Sequence, residues 1–122
     1  QFVHALGGHR VQGNDEAKAK AIFEQALEIE RLGCFALVLE CIPHELSTQI
    51  SKKLTIPAIG IGAGSGVDGQ VLVAHDMLGL TDMRPKFLKH YLNGKELFKN
   101  ALNNYCDEVK KGSFPQAGHS YY

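Results

Sequence analysis

Phe35-Ala36-Leu37-Val38-Leu39-Glu40 is the stretch whose reading decides the fold. From Phe35 to Leu39 the run is apolar at every position, the pattern of a strand in a sheet covered on both faces. It then ends abruptly on a carboxylate. Upstream, Asn14 or Asp15 caps a helix running through Leu32, with Ile22, Phe23, Ala26, Leu27 and Ile29 on one broad face. Gly33 supplies its stop. Downstream, Pro43 opens a second helix in which Leu46, Ile50 and Leu54 recur four apart. Ile56-Pro57-Ala58-Ile59-Gly60-Ile61 follows as a second buried strand.

Beyond it, Gly62 to Gly69 reads as a loop, because clustered glycines weaken helix and strand alike. Gln70-Val71-Leu72-Val73-Ala74 reads as a third short strand, and His75 to Pro85 as a loop with a helical turn. A short helix is expected over Lys86 to Leu92. The last helix is expected over Lys95 to Lys111, with Leu97, Phe98, Leu102, Tyr105, Cys106 and Val109 on its apolar side and Gly112 ending it. Ser113 to Tyr122 has no periodicity.

Strands separated by helices or long loops require parallel crossovers, so the class is α/β. Three parallel strands do not close a sheet. A complete (β/α)8 barrel takes about 250 residues, so the 122 residues here read as the last three strands and C-terminal helices of a TIM barrel. An open doubly wound sheet is the alternative.

Composition sets the outer limits. Hydrophobic residues make up 44% and charged residues 21%, ordinary globular usage. Thirteen basic residues balance thirteen acidic ones, which gives no reason to expect nucleic acid or a membrane as partner. The longest apolar runs are strand-sized, far below the roughly 20 residues that span a bilayer. Cys34, Cys41 and Cys106 lack metal-type spacing, and free thiols suit the cytoplasm. The chain opens on Gln1 rather than Met, so it is expected to begin within a longer protein.

Glu40 is the first candidate for chemistry. An unpaired charge is costly to bury, and the C-terminal ends of parallel strands face the site crevice. The competing reading is a strand-end carboxylate that caps the following loop. Gly60-Ile61-Gly62-Ala63-Gly64-Ser65-Gly66 resembles a phosphate loop but fails its spacing. The sixth position of a G-x-G-x-x-G read from Gly60 is Ser65, and from Gly62 it is Val67, with no Lys-Ser or Lys-Thr after. The run is either a backbone wall that lets a ligand approach closely or a plain turn. His75-Asp76 follows the third strand, and neighbours in a strand point to opposite faces, so one of the two is structural. His4, His9, His44, His90 and His119 show no metal-binding spacing.

Several separated blocks together carry a family resemblance. Gly7-Gly8-His9-Arg10-Val11-Gln12-Gly13, Leu39-Glu40-Cys41-Ile42-Pro43, Ile56-Pro57 through Gly64, Asp68-Gly69-Gln70-Val71-Leu72-Val73, His75-Asp76 and Gly112-Ser113-Phe114-Pro115 with His119 occur in order. In these blocks the chain resembles the C-terminal part of ketopantoate hydroxymethyltransferase. The resemblance covers essentially all of residues 1–122, which are expected to be part of a single (β/α)8-barrel domain, incomplete by itself.

The resemblance implies transfer of a hydroxymethyl group from 5,10-methylenetetrahydrofolate to 3-methyl-2-oxobutanoate, giving 2-dehydropantoate. In the family, Mg²⁺ chelates the keto acid as a Lewis acid while a carboxylate takes the carbon 3 proton. That carboxylate falls on Glu40. By the same match Ile61 and Val73 line the apolar side of the keto acid pocket. The resemblance also implies a homo-oligomer, commonly a decamer, and places the metal ligands outside this chain, which is then expected to be inactive alone. A noncatalytic truncated remnant and a related Mg²⁺-dependent barrel acting on another 2-oxo acid are the alternatives.

Overall fold

Pro57 has no N–H, and this limits the sheet at one end. The computed structural model describes residue 13 and residues 15–121. They fall into two units, one reaching to Leu72 and including Pro85–Phe87, the other built from Val73–Arg84 and the chain from Leu88 onward.

In the first unit, Asp15 caps helix α1 (Glu16–Arg31) by accepting the Lys18 amide at 2.8 Å, a contact worth about 1 kcal/mol. The helix ends at Leu32, and Gly33 takes a left-handed φ of 91°. Strand β1 covers Leu37–Glu40, starting later than the apolar run suggests. Its first ladder bond runs from the Leu37 amide to the Pro57 carbonyl at 2.9 Å, and Phe35, ahead of that rung, is 90% exposed. Helix α2 (His44–Lys53) starts after Pro43 and buries Leu46, Ser47 and Ile50. Strand β2 (Ala58–Ile61) follows, then the two-residue strand β3 (Gly69–Gln70).

The sheet order is β1-β2-β3, and both neighbouring pairs are parallel, as the crossovers require. Leu37 pairs with Ala58, Val38 with Ile59, Leu39 with Gly60 and Glu40 with Ile61. One face of the sheet is covered: Leu39 and Ala58 join Ala26, Leu46 and Ile50 in the buried core. The expectation of a sheet covered on both faces is corrected for the described residues. Val38, which points the other way, is 59% exposed. An apolar run alone cannot say which of its faces a helix covers.

Two carboxylates strap this unit together. Glu30 at the end of α1 accepts the Thr55 amide at 2.6 Å, its hydroxyl at 2.7 Å and the Ile56 amide at 3.1 Å. These bonds, the Thr55 hydroxyl first, hold its carboxyl below the usual range. Asp68 accepts the Ala58 amide at 2.8 Å and the Ser51 hydroxyl at 3.1 Å, and is lowered by them in that order.

From β3 into the second unit the chain departs from expectation in two places. The strand expected over residues 70–74 stops at Gln70, and Ala74–Met77 form helix α3. The Val73 carbonyl accepts the Asp76 and Met77 amides, both at 3.0 Å, which turns the chain into a helix instead of along a ladder. The helix expected over residues 86–92 is absent. Within this unit the Tyr91 amide donates to the Met77 carbonyl at 2.8 Å, so that donor serves a long-range bond rather than a helical turn. Helix α4 (Gly94–Lys111) ends on Gly112 in the left-handed region, φ 69°. Leu97, Phe98, Leu102, Tyr105 and Val109 along it are exposed. Phe114 then meets Tyr105 edge-on at 5.7 Å and His119 at 5.1 Å.

Candidate functional site

Glu40 is the last residue of β1, and its partner in the ladder is Ile61, the last residue of β2. Partners in register direct their side chains to the same face of a sheet. Glu40 and Ile61 thus share the face that α1 and α2 leave uncovered, with Val38 and Ile59 one step back. Glu40 also borders a groove of about 430 Å³, together with Leu37, Val38 and Leu39 of β1 and Ile22, Gln25 and Ile29 of α1. Lys18 lines the same groove, whose other residues are mostly apolar.

The chain turns sharply after Glu40. Cys41 has φ 52°, while its amide still donates to the Ile61 carbonyl at 2.9 Å. Burial pushes the half-buried Cys41 thiol up, and the adjacent Glu40 charge pushes in the same direction. Nothing in the residue types signals this turn.

The glycine loop at the same end has a role that neither sequence reading assigned. A Cβ on Gly64 would overlap His44, and one on Gly66 would overlap Thr48, both on α2. A Cβ on Gly62 would lie 2.8 Å from the Phe87 ring. The glycines let the loop lie directly on its neighbours. Ser47, fully buried, ties it down by donating to the Ala63 and His44 carbonyls, and Gln70 donates to the Gly64 carbonyl at 2.8 Å. This is a packed loop, neither a phosphate cradle nor a loose turn.

The remaining candidates separate. Val73 lies outside the sheet, ahead of α3 in the second unit, and is 52% exposed. That corrects its expected place on a third strand. His75 and Asp76 lie in α3 rather than beside a strand, and Asp76 accepts the Thr81 hydroxyl at 2.5 Å. His90 sits against the Arg84 guanidinium at 3.0 Å, and His119 accepts the Gln116 amide at 3.2 Å. His4, His9, Asn14 and the block from Gly7 to Gln12 lie outside the described residues.

Among the described residues, no three His, Cys, Asp or Glu side chains gather as a metal site. Glu40 has Cys41 and Ile61 for neighbours, so this part of the chain does not fit the Mg²⁺ that the resemblance implies. No helix among them is long and apolar enough to cross a membrane.

Parallel strands joined by a helical crossover, with a carboxylate at the carboxyl end of one of them, define an α/β protein. The chain belongs to the ketopantoate hydroxymethyltransferase family, whose model matches residues 1–117. It is 50% identical to the 3-methyl-2-oxobutanoate hydroxymethyltransferase of Francisella tularensis subsp. tularensis (strain FSC 198), across 99% of this chain and 46% of that protein. It is 51% identical to the protein of the same name from Legionella pneumophila subsp. pneumophila (strain Philadelphia 1), across 99% of this chain and 47% of that relative. The chain spans about half the length of the curated relatives it matches.

Proposed function

We propose that this chain forms the C-terminal part of a (β/α)8 barrel that transfers a hydroxymethyl group to 3-methyl-2-oxobutanoate, with Glu40 as the base. The observation that carries the reading is the place of Glu40 at the carboxyl end of a parallel strand, on one face with Ile61. In barrels that end holds the chemistry.

Glu40 takes the proton from carbon 3 of the keto acid. The electron pair left behind delocalises onto the carbonyl oxygen, and the enolate carbon attacks the methylene carbon of 5,10-methylenetetrahydrofolate. The new carbon–carbon bond replaces one carbon–nitrogen bond, and that nitrogen takes up the proton removed from carbon 3. The oxygen of a water molecule then displaces the second nitrogen, which takes the water's proton, giving the hydroxymethyl group of 2-dehydropantoate and tetrahydrofolate. A positioned base contributes about 10²- to 10⁴-fold to such a step. Ile61 offers an apolar surface beside the carboxylate, suited to the methyl groups of the substrate. The Mg²⁺ of the family would be held by residues outside this chain.

The exposed apolar stripe of α4 supports a homo-oligomer, which the resemblance makes a decamer. Three free cysteines suit the cytoplasm. The test is formation of 2-dehydropantoate by a full-length protein containing this chain, supplied with Mg²⁺, the keto acid and the folate. Product formation is expected. Turnover of a different 2-oxo acid in preference, or no carbon 3 proton exchange at all, would overturn the reading.

A further inference from the structure

Cys41 is the one non-glycine residue with a positive φ among the described residues. Such an outlier persists only where its surroundings enforce it, and here the surroundings are explicit. Leu39 and Ile42 are both buried, while Glu40 between them is exposed. A strand continuing past Glu40 would put residues 40 and 42 on one face and 39 and 41 on the other. Ile42 would then share the open face with Glu40. The left-handed step at Cys41 breaks that alternation, returning Ile42 to the core and leaving Glu40 outside. It is held from both sides. The Cys41 amide closes the last rung on the Ile61 carbonyl at 2.9 Å, and the Pro43 carbonyl accepts the Ser47 amide at 3.0 Å as α2 begins.

We propose that Cys41 is a positioning residue for Glu40, acting through its left-handed backbone and its hydrogen bond to Ile61. The thiol takes no part. This rests on Glu40 as the base, and the experiment separates the two. The readout is exchange of the carbon 3 proton of 3-methyl-2-oxobutanoate into D₂O by the full-length protein, as kcat and KM. Cys41→Val, whose branched side chain disfavours a positive φ, should lower kcat by up to about 10²-fold with KM unchanged, the loss expected from an ångström-scale misplacement. Cys41→Asn, which tolerates that backbone, should retain most of the rate. Cys41→Ala should fall between them. Should Cys41→Val fail to fold, the order of Asn above Ala carries the test.

Equal rates in the three variants would overturn the proposal. So would an Asn variant as slow as Val, since that would make the thiol the necessary group. A parent protein without exchange defeats the Glu40 reading itself, and the positioning role falls with it.

Discussion

The Glu40 carboxylate stands directly across the parallel ladder from Ile61, and the next amide along, that of Cys41, closes the rung on the Ile61 carbonyl at 2.9 Å. The two strand ends are thereby fixed to each other by main-chain bonds. An acid and an apolar side chain are held at one level on one face of the sheet.

The mechanism is checked first at Glu40. In a full-length protein containing this chain, Glu40→Gln keeps the shape and removes the proton acceptor. Exchange of the carbon 3 proton of 3-methyl-2-oxobutanoate into D₂O is expected to slow by about 10² or more. Mg²⁺ affinity, measured by calorimetry, is expected to hold, since Glu40 is not assigned as a ligand. Exchange at the parental rate would remove Glu40 from the role of base.

The charge on Glu40 is also read by its neighbour. Burial first, and then that charge, hold the Cys41 thiol above its ordinary range. In a background with Cys34→Ser and Cys106→Ser, alkylation of Cys41 is expected to need high pH. Adding Glu40→Gln should shift the alkylation profile to lower pH, because the thiolate no longer forms beside an anion. An unmoved profile would mean that the two groups do not sense each other.

Ser47 tests the attachment of the glycine loop. Its hydroxyl reaches the Ala63 and His44 carbonyls from a fully buried position. Ser47→Ala leaves the buried Ala63 carbonyl without that donor, at a cost of about 1–3 kcal/mol. Urea unfolding should show it as a lower midpoint with an unchanged slope.

Gly66→Ala probes the close approach of the same loop to α2, where a Cβ meets Thr48. Overpacking of this kind costs about 1–3 kcal/mol. Combining it with Thr48→Ala should recover part of the loss, because the hydroxyl and methyl that crowd the site are then gone. Strict additivity of the two substitutions in thermal unfolding would show that the loop and helix do not touch there.

Acid stability follows from Glu30 and Asp68, both held below the ordinary carboxylate range by the hydrogen bonds they accept. A depressed folded-state pKa adds stability that is complete above the unfolded value, near pH 4, and is lost as pH falls through the folded value. The double variant Glu30→Gln, Asp68→Asn should thus flatten the fall in melting temperature below about pH 4. An equally steep fall in the variant would assign acid lability to other groups.

What could be read in the linear chain were the features that depend on neighbouring residues. Helix α1 follows from its apolar spacing and Asp15 cap, and α4 from its stripe and Gly112 stop. Strands β1 and β2 follow from short apolar runs with helical segments between them, and the parallel order follows from the length of those crossovers. The place of Glu40 at the end of β1 was legible because the apolar run stops there. The tertiary structure decided the rest. Val71-Leu72-Val73 has the composition of a strand, yet pairing ends where the Val71 amide meets the Gly60 carbonyl, and the Val73 carbonyl turns to cap a helix. Pairing needs a partner, and composition cannot supply one. The glycines from Gly62 to Gly66 look alike in sequence, but His44, Thr48 and Phe87 set what each must avoid. The left-handed turn at Cys41 has no signature in its residue type. It arises because Leu39 and Ile42 must reach one core while Glu40 stays outside it, a demand that exists only once the sheet and α2 are in place.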